Sequence, residues 1–201
     1  MRISGKALAA FALLSFSPLC MAEVYVGAGG NMSSYKYDDV KRGFGPQVFV
    51  GYRVDTMPVM FEVGYFSTGK NKVDGSVTLQ DSSGQTYTVS DMALSWSGAI
   101  ASLGYFGKWD ANGSSVYGKV GYYGGKSKLD ANVSGFGDVT LKGSSSGLMF
   151  AIGADWMVNP SFGLRFDLGS LLNVKTTPDF GNEKSNVTTF GFGVVFPFST
   201  K

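Results

Sequence analysis

Six charged residues stand inside otherwise apolar segments of this chain: Arg53, Glu62, Lys119, Asp155, Arg165 and Asp167. Three are bases and three are acids, and two chemistries suit such a set. Asp155 and Asp167 could work as an acid/base pair, or all six could neutralise one another in a space closed to water. The usual general base near neutral pH is histidine, and the chain has none. Its single cysteine is Cys20, close to the N-terminus, so thiol chemistry and His/Cys ligation of transition metals lack their residues. The stretch "GYYGGKS" is phosphate-loop-like, but Val120 occupies the place of that loop's first glycine. Ion pairing is the better reading, and it asks for neither an enzyme nor a cofactor.

The elements that would position these charges have a period of two, the mark of strands. "VMFEVGYFS" sets Val59, Phe61, Val63 and Tyr65 against Met60, Glu62 and Gly64. "GLMFAIGADWMV" sets Leu148, Phe150, Ile152 and Trp156 against Met149, Gly153 and Asp155, and "FGLRFDLGSLL" sets Leu164, Phe166 and Leu168 against Arg165 and Asp167. The same alternation puts Arg53 opposite Val50 and Tyr52, and Lys119 opposite Val120 and Tyr122. In the last segment Phe190, Phe192, Val194, Phe196 and Phe198 form one face, and Gly191, Gly193, Val195 and Pro197 the other. All six charges therefore lie on the face opposite the large apolar residues. The segment "ALSWSGAIASLGYF" fits less well, because strict alternation buries Trp96; a bulge at Ser97 and Gly98 would return it to the apolar face.

The N-terminus indicates the compartment. Residues 1–22 combine Arg2 and Lys6, an apolar run from Ala7 to Phe16, Pro18 and a small residue at Ala22. This is the pattern of a secretory signal peptide cleaved after Ala22, which leaves residues 23–201 as one domain. Arg2, Lys6, Gly5 and Cys20 leave with it, so the mature chain carries 15 bases, 15 acids, 28 glycines and no cysteine in 179 residues. Glycine is then about twice its usual ~7 %, and charged residues fall below the ~25 % of a soluble domain. The neutral balance offers nucleic acid no basic footprint. No later apolar run is long enough for a membrane helix, and in hydrocarbon only helices and closed barrels satisfy every backbone group.

Eight strands are expected, joined by short connections at 55–58, 107–114 and 159–161 and by long ones at 31–43, 68–92, 126–146 and 173–186. Short turns at one end and long loops at the other characterise outer-membrane barrels. The expected fold is an all-β, eight-stranded antiparallel transmembrane barrel with short periplasmic turns and four long extracellular loops. Phe61, Tyr65, Tyr105, Phe150, Trp156, Phe190, Phe192, Phe196 and Phe198 would face lipid or form the interfacial girdles. A lipocalin-type soluble barrel would exchange the faces, but its water-exposed wall would then be mostly glycine.

"FVGYRVDTMPVMFEVGYFSTGK", "MFAIGADWMVNPSFGLRFDLG" and the Phe-rich closing strand resemble the transmembrane domain of the OmpA family. The resemblance implies that Phe192, Val194, Phe196 and Phe198 are the insertion signal read by the barrel-assembly machinery, although Ser199, Thr200 and Lys201 follow it here. It places Glu62, Asp155 and Arg165 in the family's internal salt-bridge cluster, with Ser102 where the family has a lysine. The chain stops without a peptidoglycan-binding domain, which moves the comparison towards small stand-alone barrels of OmpX/Ail type. The partners expected are outer-membrane lipid and lipopolysaccharide, the assembly machinery, and an extracellular protein held by loops 68–92 and 126–146, which a protruding sheet could form. The barrel is expected to be a monomer with a structural or surface-interaction role; the alternative is a narrow ion pore gated by the six charges.

Arginine at Phe150, Ile152 or Phe192 should impair insertion by about 2–4 kcal/mol near the bilayer midplane, whereas Ser82→Arg should be tolerated. Folded fractions, read from the mobility difference between boiled and unboiled samples, check this; equal assembly of all four would mean that the faces are exchanged.

Overall fold

The computed structural model describes residues 22–54, 57–80, 82–175 and 184–199. The expected signal segment before Ala22, Asp55 and Thr56 of the first turn, Asp81, residues 176–183, Thr200 and Lys201 lie outside the described residues. The strands are β1 (Ala22–Tyr35), β2 (Gly43–Val54), β3 (Val59–Ser67), β4 (Asn71–Lys72), β5 (Val77–Gln80), β6 (Thr86–Lys108), β7 (Ser115–Val133), β8 (Gly137–Asn159), β9 (Phe162–Lys175) and β10 (Lys184–Ser199). Among the described residues there is no helix.

Eight of these strands close into a ring. Each pairs antiparallel with its neighbours, β3 pairs with β6, and β10 returns to β1 from Glu23↔Ser199 to Tyr35↔Val187. Closure leaves no open edge at membrane depth, the condition hydrocarbon imposes. Glu23, Ser199, Val54, the β6–β7 connection and the β8–β9 turn lie at one rim, and the β1–β2, β3–β6 and β7–β8 connections at the other. The two small strands, β4 and β5, pair only with β6, above the ring.

A strand needs roughly 9–11 residues to cross a bilayer at a barrel's tilt, yet β6 and β8 each have 23. The β7–β8 ladder is unbroken from Ser115↔Asp155 to Val133↔Gly137. Most of the stretch 126–146 is therefore a hairpin turned by residues 134–136, and β5 with the upper halves of β6–β8 stands above the barrel as the protruding sheet that the sequence allowed. Likewise β1 runs to Tyr35, well into the expected loop 31–43.

Trp96 is a correction. No bulge occurs at Ser97 and Gly98, where the ladder runs Trp96↔Ser127, Ser97↔Lys126, Gly98↔Gly125 without a shift. Trp96 is fully buried inside the barrel, its ring 6.1 Å from that of Phe66 and 5.3 Å, edge-on, from that of Tyr123. An aromatic pocket in the lumen removes the need to send the indole outward. The irregularity lies higher, between Ser90 and Ala93, with Asp91 in the left-handed region at φ 51°. There it reverses the parity of β6, so Tyr87 and Val89 continue the inward face.

The abundance of glycine has a packing cause. Tyr25 is opposite Gly51, Phe49 opposite Gly27, Tyr117 opposite Gly153 and Tyr123 opposite Gly147. In each pair the ring lies over the glycine, and a Cβ at Gly51, Gly27 or Gly153 would come within 2.0–2.4 Å of the ring or its hydroxyl. A narrow barrel accommodates inward aromatics because the strand beside each one presents no side chain. Gly153→Ala should accordingly destabilise the barrel by about 1–3 kcal/mol through overpacking, while Gly118→Ala, with nothing within 4 Å, should be nearly neutral. Urea unfolding in detergent would compare the two.

Candidate functional site: the filled lumen and the sheet above it

Alternation sends the small residues and the charges inward. The structure brings all six charged residues of the apolar segments together in the half of the lumen nearer the short turns. Arg165, from β9, is at the centre: its Nε donates to Asp155 Oδ1 at 2.6 Å, one terminal nitrogen to Asp155 Oδ2 at 2.8 Å, and the other to Glu62 Oε2 at 2.5 Å. Arg53 bonds Asp155 from the opposite side and Glu23 Oε1 at 3.0 Å. Lys119 Nζ lies 2.7 Å from Glu62 and 3.4 Å from Asp167, whose other contact is the Tyr117 hydroxyl.

Burying so many charges is costly unless each is paired and further hydrogen-bonded. Tyr25 supplies one such bond, donating to Glu62 Oε2 at 3.1 Å. The arginines also find faces to lie on. The Arg165 guanidinium carbon is 4.2 Å from the centre of the Phe49 ring and 4.9 Å from that of Tyr117, and Arg53 is 4.6 Å from that of Tyr25. Planar, weakly hydrated guanidinium tolerates this stacking where an ammonium would not.

Ser102 does face inward, opposite Glu62. The lysine that bonds Glu62 comes instead from the next strand, as Lys119. Lys119 lies opposite Gly104 of β6, where an added Cβ would stand 3.0 Å from its own, so glycine leaves the lysine room to cross β6 to Glu62. Three members were missed in the sequence: Glu23, Tyr25 and Tyr117. Their parity was readable, since Glu23 and Tyr25 share the face of Gly27 and Tyr117 that of Lys119. Glu23 makes the lumen four acids to three bases, and Lys108 at the rim, 3.6 Å from Glu23, offsets the difference.

Towards the long-loop end the filling is apolar. Phe66, Leu94, Trp96, Tyr123, Met149, Leu171, Val174 and Val187 form one buried cluster with Tyr35 and Val40. Val40 bridges to Val73, and Asn71 ties β4 to β1 and to the β1–β2 connection by donating to Ser33 O and Lys41 O at 3.1 Å each. Between this plug and the charges lies a cavity of about 60 Å³ lined by Gln47, Glu62, Lys119, Asp167, Met149 and Leu171 among others. The barrel is thus stoppered twice, once by charge and once by aromatic packing.

On the outside, Phe61, Tyr65, Tyr105, Phe150, Trp156, Phe190, Phe192, Phe196 and Phe198 are all exposed on the wall, from 39 % at Phe196 to 66 % at Tyr105. Val194 lies on the same face, half-buried. The protruding sheet is two-faced. Register places Val77, Val89 and Val133 in one row, Leu79 beside Tyr87, Leu129 beside Leu141, and Ala131 beside Val139. These continue the inward face above the barrel, and Leu79 and Phe136 are 53 % and 70 % exposed. Among the described residues no cluster of His, Cys, Asp or Glu is arranged to hold a metal ion.

A family model described as outer membrane protein beta-barrel domain matches residues 7–198. No curated protein is matched by sequence. Solved structures with the same fold include Ail, the attachment invasion locus protein of Yersinia pestis, at 16 % identity and TM-score 0.52, covering 89 % of this chain and 99 % of that one. Neisserial surface protein A is similar at 18 % identity and TM-score 0.54, with 88 % and 97 % covered. OprG of Pseudomonas aeruginosa is similar at 13 % and 0.50, with 90 % and 98 % covered.

Arg165→Ala leaves Asp155 and Glu62 short of compensation in a confined space. It should cost about 3–5 kcal/mol, read as a lower temperature at which the unboiled gel form converts to the boiled one; an unchanged conversion temperature would show that the network carries no stability.

Proposed function

The chain belongs to the outer membrane β-barrel domain family, and from that premise we propose that it is a non-enzymatic, ion-tight barrel of the bacterial outer membrane that acts at the cell surface through the sheet raised by β5–β8. The observation that carries this reading is the sheet's apolar inward face, with Leu79 and Phe136 standing in water. Exposed apolar patches of this kind mark interaction sites, and the edge of β5, paired only with β6, offers a strand for addition by a partner. The partner is an extracellular protein that presents an apolar strand or loop. Ail, which shares the fold, has been solved in complex with the heparin analogue sucrose octasulfate. Export by the segment 1–22, insertion read from Phe192, Val194, Phe196 and Phe198, and a monomeric state belong to the same proposal.

An ion pore is the second reading, supported by the cavity between the two stoppers. Conduction would need both the charged layer and the Trp96 cluster to move. Two measurements separate the readings. Cells displaying the protein should bind surface-coated serum or matrix proteins, and Leu79→Asp with Phe136→Asp should abolish that binding without affecting assembly. In planar bilayers the unmodified protein should give no steady current, and Glu62→Ala alone should stay near baseline because the aromatic plug remains. Steady conductance with binding unaltered by the tip substitutions would favour the pore.

A further inference from the structure

The strand β8 changes neighbours with height. Its ladder with β9 ends at Met149↔Leu171, whereas its ladder with β7 continues up to Val133↔Gly137. From Gly137 to Ser144 it is an edge strand, and the backbone groups on its far side have no strand partner among the described residues. Open edges recruit further strands unless something blocks them. The middle of this edge reads Asp138, Val139, Thr140, Leu141, Lys142. Asp138, Thr140 and Lys142 are exposed on the outward face, and Val139 and Leu141 are half-buried on the inward one.

Lys142 is poorly placed within its own chain. Lys128 of β7 stands directly opposite it, and like charges so placed destabilise a strand pair. None of the described carboxylates pairs with Lys142. Asp138 accepts from Asn132 through one oxygen, at 2.9 Å, which leaves the other for a cation. A lone lysine on an edge guards it against pairing, but a carboxylate four residues away turns the guard into a mark of register. Laid antiparallel against a second copy of itself about a two-fold through Thr140, the strand sets Asp138 opposite Lys142 of that copy. The same register sets Val139 opposite Leu141 and Thr140 opposite its own equivalent. A slip of one residue would set outward side chains against inward ones. Axes through Val139 or Leu141 leave the charges uncompensated, and an axis through Lys142 sets lysine against lysine. A two-fold between antiparallel strands of one sheet passes through the sheet's face. Since this sheet continues the barrel wall upward, the axis lies parallel to the membrane and the second copy hangs from a facing one.

We propose that the upper edge of β8 is a self-recognition site, through which this protein on one membrane pairs strand to strand with a second copy on a facing membrane. Asp138 and Lys142 bridge reciprocally across the two-fold, so each lysine gains the carboxylate it lacks, and the apolar inward faces of the two sheets join into one. An overlap limited to residues 137–143 is small, so a single contact is weak and the barrel stays a monomer in dilute detergent. Surfaces that carry many copies hold by multivalency. The site uses the edge opposite β5 and does not depend on a protein partner at Leu79 and Phe136.

Vesicles carrying the full barrel with the sheet outward, prepared in two fluorescent colours, test the pairing. Those with the unmodified protein should cluster with one another and not with protein-free vesicles. Asp138→Lys or Lys142→Asp sets like charges at both reciprocal contacts and should lower clustering about tenfold, because each substitution counts twice across the two-fold. Vesicles of these two variants should nevertheless cluster with each other, and Asp138→Lys/Lys142→Asp in one chain should restore self-clustering. Lys126→Asp, one strand in from the edge, and Leu79→Asp, on the opposite edge, should cluster as the unmodified protein does. The unboiled gel form checks that each variant is folded. No clustering by the unmodified protein, full clustering by either single variant alone, or no recovery in the mixture would overturn the site. Clustering with protein-free vesicles would mean that the sheet adheres to lipid, and loss in Leu79→Asp that the contact runs through β5; either result overturns it as well.

Discussion

Hydrocarbon gives a polypeptide nothing to hydrogen-bond with, so each backbone N–H and C=O at membrane depth must find its partner within the chain. For strands this means a ring, and the β1–β10 ladder that closes the ring governs both surfaces of the sheet. Once the sheet is closed its two faces meet different surroundings. The outer one must be apolar, which is why Phe190, Phe192 and Phe196 stand exposed, and the inner one must fill a space only as wide as the side chains that enter it.

Filling that space with charge is the harder problem, because each ion brought inside must recover what water gave it. The chain solves it with geometry as much as with neutrality. Arg165 can address Asp155 and Glu62 together only because a guanidinium is a planar fork, and the rings that flank it fit only because glycine faces them from the next strand. Ser102 stands opposite Glu62 on β6, and the cation within reach of Glu62 comes from β7, as Lys119.

Much of this was legible in the sequence. The period of two read the strands and their faces correctly at Phe61, Lys119, Asp155 and Arg165, since a closed sheet between lipid and a narrow lumen leaves alternation almost no freedom. Trp96 was misplaced although strict alternation already buries it: what no local pattern shows is that Phe66 and Tyr123, from two other strands, line the lumen to receive the indole. Glu23 escaped notice although its parity was plain too: it stands at the strand's first turn beside an expected cleavage site. The upper halves of β6–β8 were legible in part: the residues of 68–92 and 126–146 allow either a loop or a protruding sheet, and it is the register of β7 with β8 from Ser115 to Val133 that makes them a sheet.

The most direct test of an outward apolar wall around a doubly stoppered lumen uses the chain's own fluorophores. Of its three tryptophans, Trp156 is exposed on the wall, Trp109 is exposed in a short-turn connection, and Trp96 is fully buried inside. Variants retaining one tryptophan each, reconstituted in brominated lipid and titrated with iodide, report lipid and water access separately. Trp156 should be quenched by the lipid, Trp109 by iodide, and Trp96 by neither. Lipid quenching of Trp96 would place it on the wall after all, and iodide quenching would mean that the lumen is open to water.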